Sequence, residues 1–115
     1  MARAVIECAA DAIVAFGTDR RVMLWNPAAE RMFGWAAAEV VGLEPQIIPE
    51  ELKAEHNAVL ERVRGCGQIS FATRKIRKDR TVIDVRIDTR ALTDGAGEVT
   101  GWVNICPDIV AYTHM

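Results

Sequence analysis

The order of patterns along the chain predicts an α+β fold built on one antiparallel sheet. Three observations carry that prediction. Two short apolar runs stand close together near the start, three capped helical stretches follow, and the second half holds strand-like runs joined by polar turns. The clearest of those runs sets Ile83, Val85 and Ile87 against Asp84, Arg86, Asp88 and Arg90, which gives one core face and one charged face.

The elements follow in order. Residues 12–16 form an apolar strand ended by Gly17-Thr18-Asp19-Arg20, and residues 22–25 return as its hairpin partner. Asn26-Pro27 starts a helix, because the Asn side chain accepts from a free amide and proline suits the first helical position. That helix carries Ala29, Met32 and Phe33 on one face and stops at Gly34, where a left-handed terminus is expected. A second helical piece spans residues 36–41 and stops at Gly42. The third helix opens at Pro49, with Glu50 and Glu51 first, Arg62 and Arg64 last, and Gly65 as its expected end. Leu52, His56, Val59, Leu60 and Val63 share its buried face, so His56 points inward. Strands over 69–76 and 81–92 flank the turn Arg77-Lys78-Asp79-Arg80, and a last strand over 99–105 follows Asp94-Gly95-Ala96-Gly97-Glu98.

At 115 residues the chain fits one domain, half of it hydrophobic and 26 % charged, a globular composition. The formal net charge of −2 and the lack of a basic stripe argue against nucleic acid as a partner. The longest apolar runs are too short for a membrane span, and Glu7 and Asp11 interrupt any signal-peptide core, so a cytoplasmic location is expected. Cys8, Cys66 and Cys106 are odd in number and lack CxxC spacing, which fits reduced thiols rather than disulfides or zinc. Cys66, between two glycines, is the candidate for redox sensing. Catalysis is not expected: there are two histidines, one of them His114 near the end, and Gly95-Ala96-Gly97 does not complete a phosphate-binding fingerprint. Asp84 and Asp88 interleave with Arg86 and Arg90 and read as salt-bridging partners.

The string Trp25-Asn26-Pro27-Ala28-Ala29-Glu30-Arg31-Met32-Phe33-Gly34, followed by Glu39-Val40-Val41-Gly42, Ile48-Pro49-Glu50-Glu51-Leu52, Lys78-Asp79 and Asp108-Ile109, resembles a PAS domain over residues 5–110. Residues 1–4 and 111–115 are then terminal extensions. The resemblance implies a five-stranded antiparallel sheet with short helices on one face around a ligand-binding pocket. It also implies a sensory role in signal transduction, as in two-component systems, with an output domain such as a histidine kinase or cyclase. One departure is Arg80, where PAS hairpins carry glycine after Lys-Asp. A homodimer is expected, with the apolar residues Val5, Ile6, Cys8 and Ala9 packing on a second copy. A ligand-free homodimerisation or interaction module is the other reading of the same family.

His56 is the candidate cofactor residue. Pro49-x-x-Leu52-Lys53-x-x-His56 is similar to the helix of haem-binding PAS domains, where the matching histidine is the proximal iron ligand, and an inward neutral imidazole suits that role. The resemblance makes His56 the only candidate metal ligand, with Leu52, Leu60, Ile69 and Phe71 as candidate pocket lining. Phe71 stands where oxygen-sensing relatives place an arginine, and Ile69 and Phe71 would give an apolar distal side. A flavin photosensor is disfavoured, because no cysteine lies between Gly42 and His56.

Overall fold

Five strands form a single sheet in the order β2-β1-β5-β4-β3, every neighbouring pair antiparallel. The structure, a computed structural model, describes residues 10–107. Its strands are β1 (Ala12–Gly17), β2 (Val22–Trp25), β3 (Gln68–Ile76), β4 (Val82–Thr93) and β5 (Val99–Cys106). Between β2 and β3 lie α1 (Pro27–Phe33), α2 (Ala37–Val40), a 3₁₀ turn (Glu50–Leu52) and α3 (Lys53–Cys66). The α+β class and the five-stranded antiparallel sheet expected from the sequence are both present.

Side-chain parity decides which face is covered. Ala12, Val14 and Phe16 of β1, Trp102, Asn104 and Cys106 of β5, and Val85, Ile87 and Thr89 of β4 are buried, while the intervening Asp84, Arg86 and Arg90 are exposed. Register lines these up across the sheet: Ala12 faces Cys106, Val14 faces Asn104 and Phe16 faces Trp102. Ala29 and Phe33 of α1 and Val59, Leu60 and Val63 of α3 close over that face.

Asn26 joins α1 to the sheet. Its Oδ1 accepts from Ala29 N and from Ile13 N, each at 2.9 Å, and its Nδ2 donates to the Asp11 carbonyl at 3.0 Å. One side chain thus caps the helix and ties it to β1. Gly34 ends α1 at φ 83°, the left-handed value expected of it.

Two helix ends differ from expectation. α3 does not begin as an α-helix at Pro49: a 3₁₀ turn precedes it, with Leu52 N donating to the Pro49 carbonyl at 2.9 Å. It also runs past Gly65 through Cys66 and stops at Gly67 (φ 88°), because the chain reverses there into β3. Cys66 is therefore an exposed residue of the last helical turn rather than part of a loop. The N-terminal residues expected at a dimer interface, and Asp108-Ile109, lie outside the described residues.

Candidate functional site

The covered face of the sheet is not filled everywhere. Beneath α3 lies a cavity of about 20 Å³, floored by Ala12, Val14 and Phe16 of β1, Asn104 and Cys106 of β5, and Ile87 of β4. Phe33, the loop residues Pro45, Ile47 and Ile48, and His56 form its roof and sides, and Lys75 of β3 reaches it from the sheet edge. A hydrogen bond of 2.8 Å from Ile76 N to the Ile47 carbonyl pins that loop to β3 beside Lys75. Phe16, Pro45, Ile48 and His56 also line an outer pocket of about 230 Å³, together with Arg20, Glu44, Lys53 and Asn57. His56 stands at the junction.

A ladder of rings holds the histidine against the sheet. Its imidazole lies 6.1 Å from the Phe16 ring, which stacks on Trp102 at 5.8 Å. Trp102 Nε1 in turn donates to the Leu60 carbonyl at 3.2 Å, fixing α3 over β5. The Arg20 guanidinium covers the Trp102 ring at 4.7 Å.

The electrostatics of the site are one-sided. Burial, with the charges of Lys75 and Arg20, pushes the His56 pKa down to about 3, so the imidazole is neutral at physiological pH. Lys75 is only 3 % exposed, and its Nζ has no hydrogen-bond or ion-pair partner among the described residues. Burial pushes its pKa down to about 8, and it pushes the Cys106 thiol up to about 11. At neutral pH the lysine therefore stays mostly charged and the thiol stays protonated. Asn104 Oδ1 accepts from Thr89 Oγ1 at 2.7 Å.

Of the residues singled out from the sequence, His56 lines the cavity. The other four lie outside its walls. Leu60 is fully buried one turn further along α3, where its carbonyl meets Trp102. Leu52 falls in the 3₁₀ turn. Ile69 and Phe71 sit on the same face of β3 as Lys75 but nearer the other end of the strand, packed against the core. Lys75 was legible by that parity, two residues at a time from Ile69, but a lysine reads as a surface residue. Pro45, Ile47 and Ile48 come from a segment with no periodicity to place them.

Haem is the group that the resemblance raises for His56, and the surroundings do not fit it. The inner cavity has room for about one water, far below a tetrapyrrole, and a lysine ammonium projects into it. Cys106 does reach the cavity, but from β5 rather than from the helical segment that a photosensor would use.

A sheet covered on one face by short helices, with a polar-tipped cavity between the layers, is the architecture of a sensory domain. A family model described as the PAS fold matches residues 1–109, and the chain belongs to that family. PAS domains are sensory modules of signal transduction, generally without catalysis of their own. Sensor protein FixL of Bradyrhizobium diazoefficiens is 30 % identical over 112 residues, a match covering 88 % of this chain and 21 % of FixL. The chain thus spans about a fifth of that relative's length. Among solved structures, the PAS domain of a protein from Colwellia psychrerythraea superposes with a TM-score of 0.84 at 19 % identity, covering 96 % of this chain and 95 % of that one. An RNA-binding Light-Oxygen-Voltage receptor superposes at 0.81 with 23 % identity, over 97 % of this chain and 33 % of that one. Both likenesses are of fold. Among the described residues no helix is long and apolar enough to cross a membrane.

Proposed function

We propose that this domain is the input module of a signalling protein and senses a small ligand in the cavity beside His56, without turning it over. The observation that carries the reading is the cavity itself, which lies between α3 and the sheet and shares His56, Phe16, Pro45 and Ile48 with an outer pocket. A ligand entering there meets His56 and Phe16 first, and so acts on the ring ladder that sets α3 against β5. β1 and β5 carry that ladder, lie side by side, and lead toward the two ends of the domain. A shift in the ladder thus has a short path to an output domain, such as a histidine kinase or a cyclase, and to a homodimeric partner. A ligand-free interaction module is the second reading, and the way Phe16 and Phe33 narrow the cavity supports it.

A thermal-shift screen of small neutral and charged organic fragments separates the two. Ala12 is fully buried in the cavity floor, so Ala12→Leu fills the space. Fragments that raise the melting temperature of the wild type and not of Ala12→Leu are the expected result. A screen with no such fragment would leave the interaction module. Hemin added to the same protein is expected to give no Soret band that depends on His56, tested with His56→Ala. A His56-dependent band would restore the haem-based gas sensor.

A further inference from the structure

We infer that the cavity beside His56 takes a small carboxylate, its head group held by the Lys75 ammonium and the Asn104 amide; this rests on the cavity being the ligand site. The inner wall carries one cation and no anion. Lys75 Nζ has no partner among the described residues. Asn104 is 8 % exposed, and because its Oδ1 is occupied by Thr89, only its Nδ2 donors remain for a ligand. The other two polar groups supply no counter-charge, Cys106 being a protonated thiol and His56 a neutral imidazole. No acidic side chain lines the inner cavity.

The entrance repeats the pattern. Arg20 Nη1 is buried there without a hydrogen-bond partner, although its guanidinium is held in place over Trp102. Lys53 stands beside it, paired with Glu50 at 2.8 Å, and Glu44 is the one acidic group of the outer pocket. A buried cation with no counter-ion is expensive, and an anion that enters offsets that cost in a way a neutral ligand does not. A carboxylate fits better than a bulkier anion, because its one flat end matches one ammonium plus one amide, and in a space of about 20 Å³ only that end enters the inner cavity. A short aliphatic tail then lies past His56 in the outer pocket of about 230 Å³, along Phe16, Pro45 and Ile48.

Propionate and its neutral isostere propionamide form the test, titrated into the wild type, Lys75→Met and Lys75→Gln at constant ionic strength, with the melting temperature as readout. Propionate should raise the wild-type melting temperature in proportion to the logarithm of its concentration, propionamide should bind at least tenfold more weakly, and both variants should lose the preference while remaining folded. Lys75→Gln keeps a donor without the charge, so it guards against a packing defect in Lys75→Met. Equal effects of propionate and propionamide, or a propionate response retained in the variants, would overturn the carboxylate inference and leave the ligand site standing. No response to propionate alongside fragment hits sensitive to Ala12→Leu would do the same. No response to either probe together with an empty fragment screen would overturn both.

Discussion

Asn26 and Lys75 are almost equally buried, at 2 % and 3 % exposed, and they occupy opposite situations. The amide of Asn26 is surrounded by partners: it caps α1 and grips the backbone of β1 on both sides of the strand's start. The ammonium of Lys75 has none among the described residues, and it faces open space. A buried polar group that is fully hydrogen-bonded specifies a structure, whereas one left without a partner costs stability that only a function or an oversight explains. The α1 end of the domain is thus fixed by its own hydrogen bonds, and the His56–Lys75 end leaves a buried charge without a partner among the described residues.

Two substitutions put that contrast to a direct trial. Asn26→Ala removes the helix cap and strands the Ile13 amide and the Asp11 carbonyl inside the protein, so a loss of about 3–4 kcal/mol is expected in chemical denaturation. A loss below about 1 kcal/mol would mean that water replaces the side chain and that the end is not rigidly specified. Lys75→Met should act in the opposite direction and raise stability at pH 7 by about 2–3 kcal/mol, since it removes a charge held in an apolar site. This gain has a pH signature. The unfolded chain keeps the lysine proton to about pH 10.5, but the folded one gives it up near 8. Between those values the unfolded state binds more protons, so wild-type stability rises with pH. The advantage of Lys75→Met is therefore full below pH 8 and gone above about 10.5. An advantage that stays flat from pH 7 to 11 would show that packing, not charge, is responsible.

The same contrast explains what the sequence disclosed. Asn26-Pro27 and Gly34 announce α1 because capping chemistry is local: the side chain, the proline and the glycine act within a few residues of one another. The alternation of β4 is equally local, and so is the inward turn of His56, which follows from the spacing of Leu52, Val59 and Leu60. The cavity is assembled differently. Its walls come from three strands' inner faces, one residue each of α1 and α3, the edge strand β3 and an irregular loop, and no local rule brings Ile47 over Ile87 or Lys75 toward Cys106. The misplaced end of α3 has the same origin. Gly65 and Gly67 are equally good stops by composition, and the choice between them is made by the reversal into β3, where Ala91 N donates to the Gly67 carbonyl at 3.3 Å.

The comparison extends, with a smaller effect, from polar atoms to the backbone. Among the described residues two non-glycines have left-handed dihedrals, Arg80 at φ 76° and Arg20 at φ 69°. Arg80 sits in the exposed β3–β4 hairpin, where Arg77 N donates to the Thr81 carbonyl at 2.8 Å and Asp79 Oδ1 accepts from Thr81 N and Oγ1 at 3.0 and 2.6 Å. These bonds hold the turn in shape whatever side chain stands at position 80. The arginine therefore bears a left-handed cost of about 1–2 kcal/mol with no side-chain hydrogen bond or ion pair among the described residues to offset it, and glycine relieves that cost while losing part of it again to unfolded-state entropy. Arg80→Gly is expected to stabilise by about 0.5–1 kcal/mol. Arg20 has the same backbone but spends it differently, laying its guanidinium on Trp102 at the entrance to the cavity. Arg20→Gly loses that contact along with the strain, so it should bring no gain in stability and should weaken any anion bound beyond it. Denaturation midpoints of the two single variants decide the matter. Equal stabilisation by both would mean that Arg20 is as idle as Arg80, and the entrance would lose its claim to be shaped for a ligand.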